Sequence, residues 1–457
     1  MKSKIKISIV LAICLTGLAL CGCEADKAEA STGTASYTQL ELSQFDYDIE
    51  RVIGSATKEF MGNHPIDQSF FAWFISEYGI QAFNDILAKN KFDDPAVWID
   101  ASGRSIHVLW YEYCQDTGLD AFENHYTYVV NTNYDDEVTF DITGDVSMAD
   151  DKATTTYMIE QPNGLMDCFD DDVFDAINES DIFIINNEFA YTTGGDPIVE
   201  KYYTFRSNPD RLRELFSIGV DSVTLANNHV YDYREEGLLD TLKTLEGSRM
   251  PYIGAGRNLE DASQPIYYIA GGRKIAIVNA SQIEKNQNFT KAATEDSAGI
   301  LKCLDPTHFT EVISEAKKNS DCVLAIVHWG TEYQDRYGKD QNDLANAFAE
   351  AGADVIIGGH PHVLQGFDYI GDTPVYYSLG NFYFSLDENM PADYETGIAT
   401  VTVRKDGSID AGFIPCYFSD GVVSVVTDDA DETKIRSRLN NVSNNAILDS
   451  KGIIRKK

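Results

Sequence analysis

The chain has 457 residues, a formal net charge of -37, and 43% hydrophobic and 11% aromatic residues. That length and apolar content allow two or three domains with sizeable cores. The charge excludes general electrostatic attraction to nucleic acid or to an anionic membrane, so an anionic substrate would need local cations.

Lys2, Lys4 and Lys6 precede an apolar run over 7–20. The run is too short for a membrane span, and its basic start is that of a secretory signal. It ends in Leu20-Cys21-Gly22-Cys23, which resembles a bacterial lipobox with Cys23 as the lipidated residue. A plain signal peptide with incidental cysteines is the alternative. Residues 1–23 are therefore expected to be a lipoprotein signal. The mature protein would be tethered to the extracytoplasmic face of the bacterial cell membrane. Small polar residues over 24–37 read as a flexible tether. The later cysteines, Cys114, Cys168, Cys303, Cys322 and Cys416, are dispersed and show no CxxC spacing. They indicate neither a zinc knot nor a disulfide framework.

Residues 38–130 predict a small, mainly helical domain. Stretches 47–61 and 65–88 carry apolar residues at helical spacing, among them Phe70, Phe71, Phe74, Ile75 and Tyr78. Trp98-Ile99-Asp100 and an apolar run over 106–113 close the block. Gly62-Asn63-His64 imitates a metal-binding box, but Pro65 follows it and no strand feeds it. It reads as a turn and a helix start.

From Val138 strands alternate with helices. Strands are predicted at 138–143, 181–185, 222–226, 322–327 and 354–357, with a hairpin at 266–278. Helices are predicted at 172–180, 209–218, 235–246, 307–319 and 340–351, the third with Leu238, Leu239, Leu242 and Leu245 on one side. Residues 281–299 form a long polar loop, a candidate lid. Strands at 375–378, 397–403 and 412–418 finish the domain, 137–427. Residues 428–457 are expected to be a charged tail, one helix and a disordered basic end. Repeated βα units followed by antiparallel strands argue an α/β fold of two packed sheets with outer helices.

The predicted strands end in Asp145, Glu188, Asn228-His229, His328 and His360-Pro361-His362. Active sites of open α/β sheets lie at such carboxyl ends. Each residue alone has an ordinary reading, as a cap, a solvated carboxylate or a packed ring. Together they place four of the chain's eight histidines at strand ends in one half of the chain. Carboxylates, a carboxamide and neutral imidazoles suit Mn²⁺, Fe²⁺ or Zn²⁺. The set exceeds the need of one tetrahedral ion and suits two divalent ions sharing a carboxylate.

These residues lie in ordered blocks: Thr143-Gly-Asp145, Asn187-Glu188, 195–206 with Pro197, Lys201 and Phe205, Leu225-Ala-Asn-Asn-His229 with Asp232, His328-Trp-Gly330, Gly359-His-Pro-His362 and Tyr377-Ser-Leu-Gly-Asn-Phe382. The chain thereby resembles CapA-type proteins, the poly-γ-glutamate capsule biosynthesis branch of the calcineurin-like metallophosphoesterase superfamily. The resemblance covers about 137–390. It implies a four-layer α/β/β/α sandwich. It implies that Asp145 and His362 hold a first metal, that Glu188 bridges, and that Asn228, His328 and His360 hold a second. His229 would be the general acid and Asp232 its orienting partner, a surface cap being the alternative for Asp232. Lys201 and Arg206 are candidate anion contacts, with surface salt bridges as the alternative. Ser147 stands where the broad superfamily has a histidine, and Glu188 where it has an aspartate.

The implied function is a metal-dependent hydrolase or transferase acting on an anionic capsular or cell-envelope polymer, possible partners being a polymer synthase or export complex. The competing reading is a non-catalytic assembly or export factor that uses a degenerate site to bind polymer. A surface solute-binding lipoprotein is a third.

Overall fold

A computed structural model describes residues 68–89, 95–117, 126–132, 137–283, 285–286, 288–385 and 393–457. The chain divides into two compact units near residues 125–132. The expected signal, Cys23, the tether, stretch 47–61 and Gly62-Asn63-His64 lie outside the described residues.

The first unit contains helices Gln68–Lys89, Pro95–Ser102 and Ile106–Thr117. The first is two helices joined at Gly79, whose φ of 84° is open to a residue without a Cβ. Phe70, Trp73, Phe74, Trp98, Trp110 and Tyr113 bury one aromatic cluster between them. Trp73 Nε1 and Tyr78 Oη keep their polar ends satisfied on Asp116 (2.9 Å) and Glu112 (2.6 Å).

The second unit is built on two large mixed sheets. In one, Glu137–Val146, Ile182–Asn187, Ser222–Thr224 and Tyr252–Ile253 run parallel. Tyr394–Arg404 and Ile409–Ser419 continue it antiparallel. In the other, Arg273–Ser281, Cys322–His328, Val355–Gly359 and Thr373–Tyr376 run parallel, flanked by antiparallel Ile266–Ala270 and Phe367–Ile370. The sheets meet face to face: Phe367 packs on Phe413 and Tyr268 on Phe140. Tyr376 Oη crosses to donate to the Gly412 carbonyl at 3.0 Å.

Helices cover the outer faces because each offers them one apolar stripe. Phe309, Ile313 and Ala316 of Thr307–Lys318 and Leu344, Ala345 and Phe348 of Lys339–Ala351 join the core of the second sheet. Val173 and Ile177 of Asp171–Glu179, whose start Asp170 caps by accepting from Val173 N, join the core of the first. Arg234–Ser248 buries Leu238, Leu242 and Leu245. Leu239, expected on that side, is exposed, since successive helical residues point about 100° apart. The layers match the α/β/β/α expectation.

The helix expected in the tail forms, and the disordered end expected after it is corrected by the structure. Helix Asp429–Val442 buries Ile435, Leu439 and Val442. Ile453–Lys456 then pairs with Ile409–Ser419, and Ala446–Leu448 pairs with Ile453–Lys456. The exposed Arg455 and Lys456 follow Ile454, whose burial on the sheet decides the conformation where local charge suggested disorder.

Candidate metal centre

All the parallel strands of both sheets point their carboxyl ends at one place. Asp145 stands near the end of Glu137–Val146, where the register against Ile182–Asn187 shifts between Ile142 and Asp145. A bulge there re-aims a side chain. Gly144 permits it, because a Cβ at that position would lie 1.9 Å from the Gly380 carbonyl oxygen. Glu188 directly follows Ile182–Asn187, His328 ends Cys322–His328, and His360 and His362 follow Val355–Gly359. His360 and His362 adopt φ values of 93° and 60°. Such backbone costs about 1–3 kcal/mol per residue and persists where the surroundings impose it. Pro361 lies between them, and their rings are 5.6 Å apart.

Asp145, Glu188, Asn228, His229, Asp232, His328, His360 and His362 are all buried. Two sets of ligand atoms lie within 4.8 Å of one another, Asp145 with Glu188 and His328, and Glu188 with His360 and His362. Glu188 belongs to both. His362 Nδ1 also lies 3.3 Å from Asp145 Oδ2, and the His328 and His360 rings lie 4.8 Å apart, so the two sets overlap and do not divide the ligands between ions. Asn228 Oδ1 lies 2.7 Å from His328 Nε2, so the carboxamide is also within the cluster. Ser147, two residues after Asp145, is buried, and its hydroxyl accepts from Ala149 N–H at 3.4 Å.

The protonation pattern has physical causes. Burial would push Asp145 up, but the hydrogen bond with His362 and the neighbouring histidines hold it below the usual carboxylate value. Burial and the Asp145 charge push Glu188 well above its usual value. Burial lowers His328 to about 3 and His360 well below 6.5. Burial and then the Lys201 charge lower His229 to about 4. Burial opposes the charged form of His362 as well, but the Asp145 hydrogen bond and the Glu188 charge raise it to about 9.

The donor set fits divalent ions on this structure's own terms. Glu188 Oε1 and His360 Nδ1 are buried and have no hydrogen-bond partner among the described residues. Unsatisfied buried polar atoms cost about 1–3 kcal/mol each, and a cation would satisfy both. Buried carboxylates beside the neutral imidazoles of His328 and His360 are also what a cation needs.

His229 Nδ1 lies 2.6 Å from Asp232 Oδ2, and its Nε2 lies 3.9 Å from Glu188 Oε1. Phe205 stacks on the same imidazole at 4.2 Å between ring centres. Asp232 is thus an internal partner of His229, and the surface-cap alternative is set aside. The Lys201 side chain is 7% exposed: Nζ lies 2.6 Å from Asp232 Oδ1 and 2.5 Å from the Asn228 carbonyl oxygen. Arg206 lays its guanidinium 4.8 Å from the centre of the Tyr233 ring, a cation–π contact.

Sequence reasoning missed three asparagines. Asn186 Nδ2 donates to Asp145 Oδ1 at 2.8 Å and reaches Glu188 Oε2 at 3.3 Å, bridging the two carboxylates. Thr224 and Asn227 orient it by donating to its Oδ1. Asn381 Oδ1 holds His362 Nδ1 at 2.7 Å. Asn186 ends an apolar strand two residues before Glu188, which was a usable signal. Asn381 arrives through a strand, Asn381–Tyr383, that pairs beside Asp145; the block Tyr377-Ser-Leu-Gly-Asn-Phe382 contained it but gave it no role.

A two-sheet α/β sandwich with carboxylates, amides and imidazoles converging at its strand ends is metallophosphoesterase-like. Residues 139–386 match the bacterial capsule synthesis protein family PGA_cap, and the chain belongs to that family. A capsule biosynthesis protein CapA of Bacillus anthracis is 30% identical over 262 residues, which cover 55% of this chain and 61% of that protein. A PGA biosynthesis protein CapA of Bacillus subtilis (strain 168) is 34% identical over 210 residues, covering 46% and 54%. A "probable polyglutamine synthesis accessory protein" of Mycobacterium tuberculosis is 25% identical over 210 residues, covering 44% and 55%. The chain thus spans between 54% and 61% of the length of these curated relatives.

Proposed function

We propose that this protein is a lipid-anchored, extracytoplasmic, metal-dependent hydrolase or transferase of anionic capsular or cell-envelope polymer, of the poly-γ-glutamate kind. The observation that carries the catalytic part is Glu188: one buried carboxylate shared by two ligand sets, with an oxygen that has no hydrogen-bond partner among the described residues. The polymer class rests on the family and its named relatives. The anchor rests on Leu20-Cys21-Gly22-Cys23. Among the described residues no helix is long and apolar enough to cross a membrane.

Asp145, Glu188, Asn228, His328, His360 and His362 would hold the ions, with Glu188 common to both ligand sets. Bound ions would supply the positive charge that polarises an ester and acidifies a water. The chain's own residues do the rest. Asp232 and the Phe205 ring fix the His229 imidazole. Phe205 N–H also donates to Asp232 Oδ2 at 2.7 Å, so that oxygen is already directed at the backbone and at Nδ1. Nδ1–H therefore stays on Asp232, and Nε2, toward the ligand cluster, is the nitrogen that takes up and passes on a proton. In hydrolysis a water oxygen bonds to phosphorus while the bond to the leaving oxygen breaks. The bonding pair stays on the leaving oxygen, which takes a proton from His229 Nε2, and the proton that the attacking water loses passes to solvent, from which Nε2 is reprotonated.

Protein reconstituted with Mn²⁺, Fe²⁺ or Zn²⁺ should cleave a generic aryl phosphodiester or release ends from an anionic polymer. Asp145→Ala and His229→Ala should abolish this, and unchanged activity in both ends the reading. Ser147, in place of a ligating imidazole, favours a second reading, a polymer-binding assembly factor serving a synthase or export complex. One bound ion per chain, polymer binding and no turnover would decide for it.

A further inference from the structure

Lys201 sits in the 195–205 segment, whose neighbouring side chains face water. Val199 is 87% and Tyr202 89% exposed, yet the Lys201 side chain is 7% exposed. The segment is laced onto the turn that carries the site. Ile198 N–H donates to the Asp232 carbonyl at 3.0 Å, and Phe205 N–H to the Asp232 carboxylate at 2.7 Å. Gly195, at φ +72°, passes so close that a Cβ there would lie 2.8 Å from the Tyr233 carbonyl oxygen. Lys201 then reaches inward to two acceptors at once, the Asp232 carboxylate and the Asn228 carbonyl. Thr290, from the 288–298 stretch of the long loop, donates to that same carbonyl at 3.0 Å and is fully buried.

An ammonium has three donors and no acceptor, and burying one is costly unless its donors are met. Here both firm partners belong to the two groups that do the chemistry: the backbone of the ligand Asn228, and the carboxylate that holds His229. A substrate-binding lysine would keep its ammonium free toward the open side. A loop-stabilising lysine would not need residues from both halves of the catalytic turn.

We propose that Lys201 is a positioning residue, which ties the Asn228 carbonyl and the Asp232 carboxylate into one unit and so sets the ligand Asn228 and the proton donor His229 together. The long loop reinforces the same point through Thr290. This rests on the hydrolase reading for its proton-donor half and on the ligand cluster alone for its metal half.

Lys201→Met keeps the stem and removes the charge and donors. Loss of an outer partner of a metal ligand weakens metal binding about 10- to 100-fold. Mn²⁺ affinity, measured by chelator competition, should therefore fall by about 10-fold or more in Lys201→Met. It should stay near the starting value in Lys201→Arg. Turnover by Lys201→Met should fall at least about 10-fold further on a phenyl than on a 4-nitrophenyl phosphodiester, because the poorer leaving group needs the proton. A rise in KM alone would overturn the proposal in favour of direct substrate contact. A lower melting temperature with unchanged Mn²⁺ affinity and leaving-group ratio would overturn it in favour of a structural pair. If Lys201→Met does not fold, Thr290→Val decides: weakened Mn²⁺ binding supports the clamp on Asn228, and unchanged binding refutes it. If the unsubstituted protein turns over neither ester, the hydrolase reading fails while the Mn²⁺ titration still tests the clamp.

Discussion

The Asp232 carboxylate lies 2.6 Å from His229 Nδ1, while the opposite nitrogen of that ring faces Glu188. Asp232→Asn keeps the shape and removes the charge that steadies an imidazolium. A positioned general acid contributes about 10²–10⁴-fold. Turnover of Mn²⁺-loaded Asp232→Asn should fall about 100-fold or more, with metal content by elemental analysis unchanged. Equal kcat values would remove His229 from the proton-donor role.

Glu188 joins the two ligand sets, so its loss should be felt in stoichiometry. Elemental analysis is expected to find two ions in the unsubstituted chain and at most one in Glu188→Gln. Chelation should lower thermal stability as well. Binding at 100 times Kd stabilises by about 2.7 kcal/mol, enough to shift the melting midpoint by a few degrees in a chain of this size. A chelator-insensitive melting curve would deny the site a resident metal.

Asn186 is the neutral spacer between two buried carboxylates. Asn186→Leu leaves Asp145 and Glu188 facing each other without that donor. The metal-free protein should lose about 1–3 kcal/mol, read from the urea midpoint. Metal should restore much of that loss, because cations replace the missing donor. A neutral substitution in the metal-free state would show that the amide does not hold the pair.

Burial pushes the Cys168 thiol up to about 11 and Cys303 to about 12. Both lie above the ordinary thiol value, so the native state holds their protons longer than the unfolded chain does. Their contribution to stability is complete below about pH 9 and is lost as pH rises toward 11 and 12. The urea midpoint should fall between pH 8 and pH 10.5, and native protein at pH 8 should resist alkylation at both thiols. Rapid native alkylation at pH 8 would mean that these thiols are reached without unfolding.

The α/β class and the ligand types were readable because both are local. Apolar runs of strand length end in Asp145, Glu188, His328 and His360, and the run itself predicts the burial that carries the ligand to the sheet's rim. Leu239 and the C-terminal strands were not, since one needs the angle between adjacent helical residues and the others need a partner strand far away in sequence. Arg455 and Lys456 look like a solvated end until Ile454 finds its place beside Ala411.

By itself the sequence determined which side chains gather, because strand periodicity and the position of each ligand at a strand end are properties of short stretches. Only the tertiary structure decided how they are shared: that Glu188 serves two sets, that Asn186 and Asn381 hold them, and that Lys201 turns inward. Those relations join residues from both sheets and from loops more than a hundred positions apart, as Asn381 to Asp145. No local pattern encodes a distance that arises only when two sheets pack and two crossing loops close over their ends.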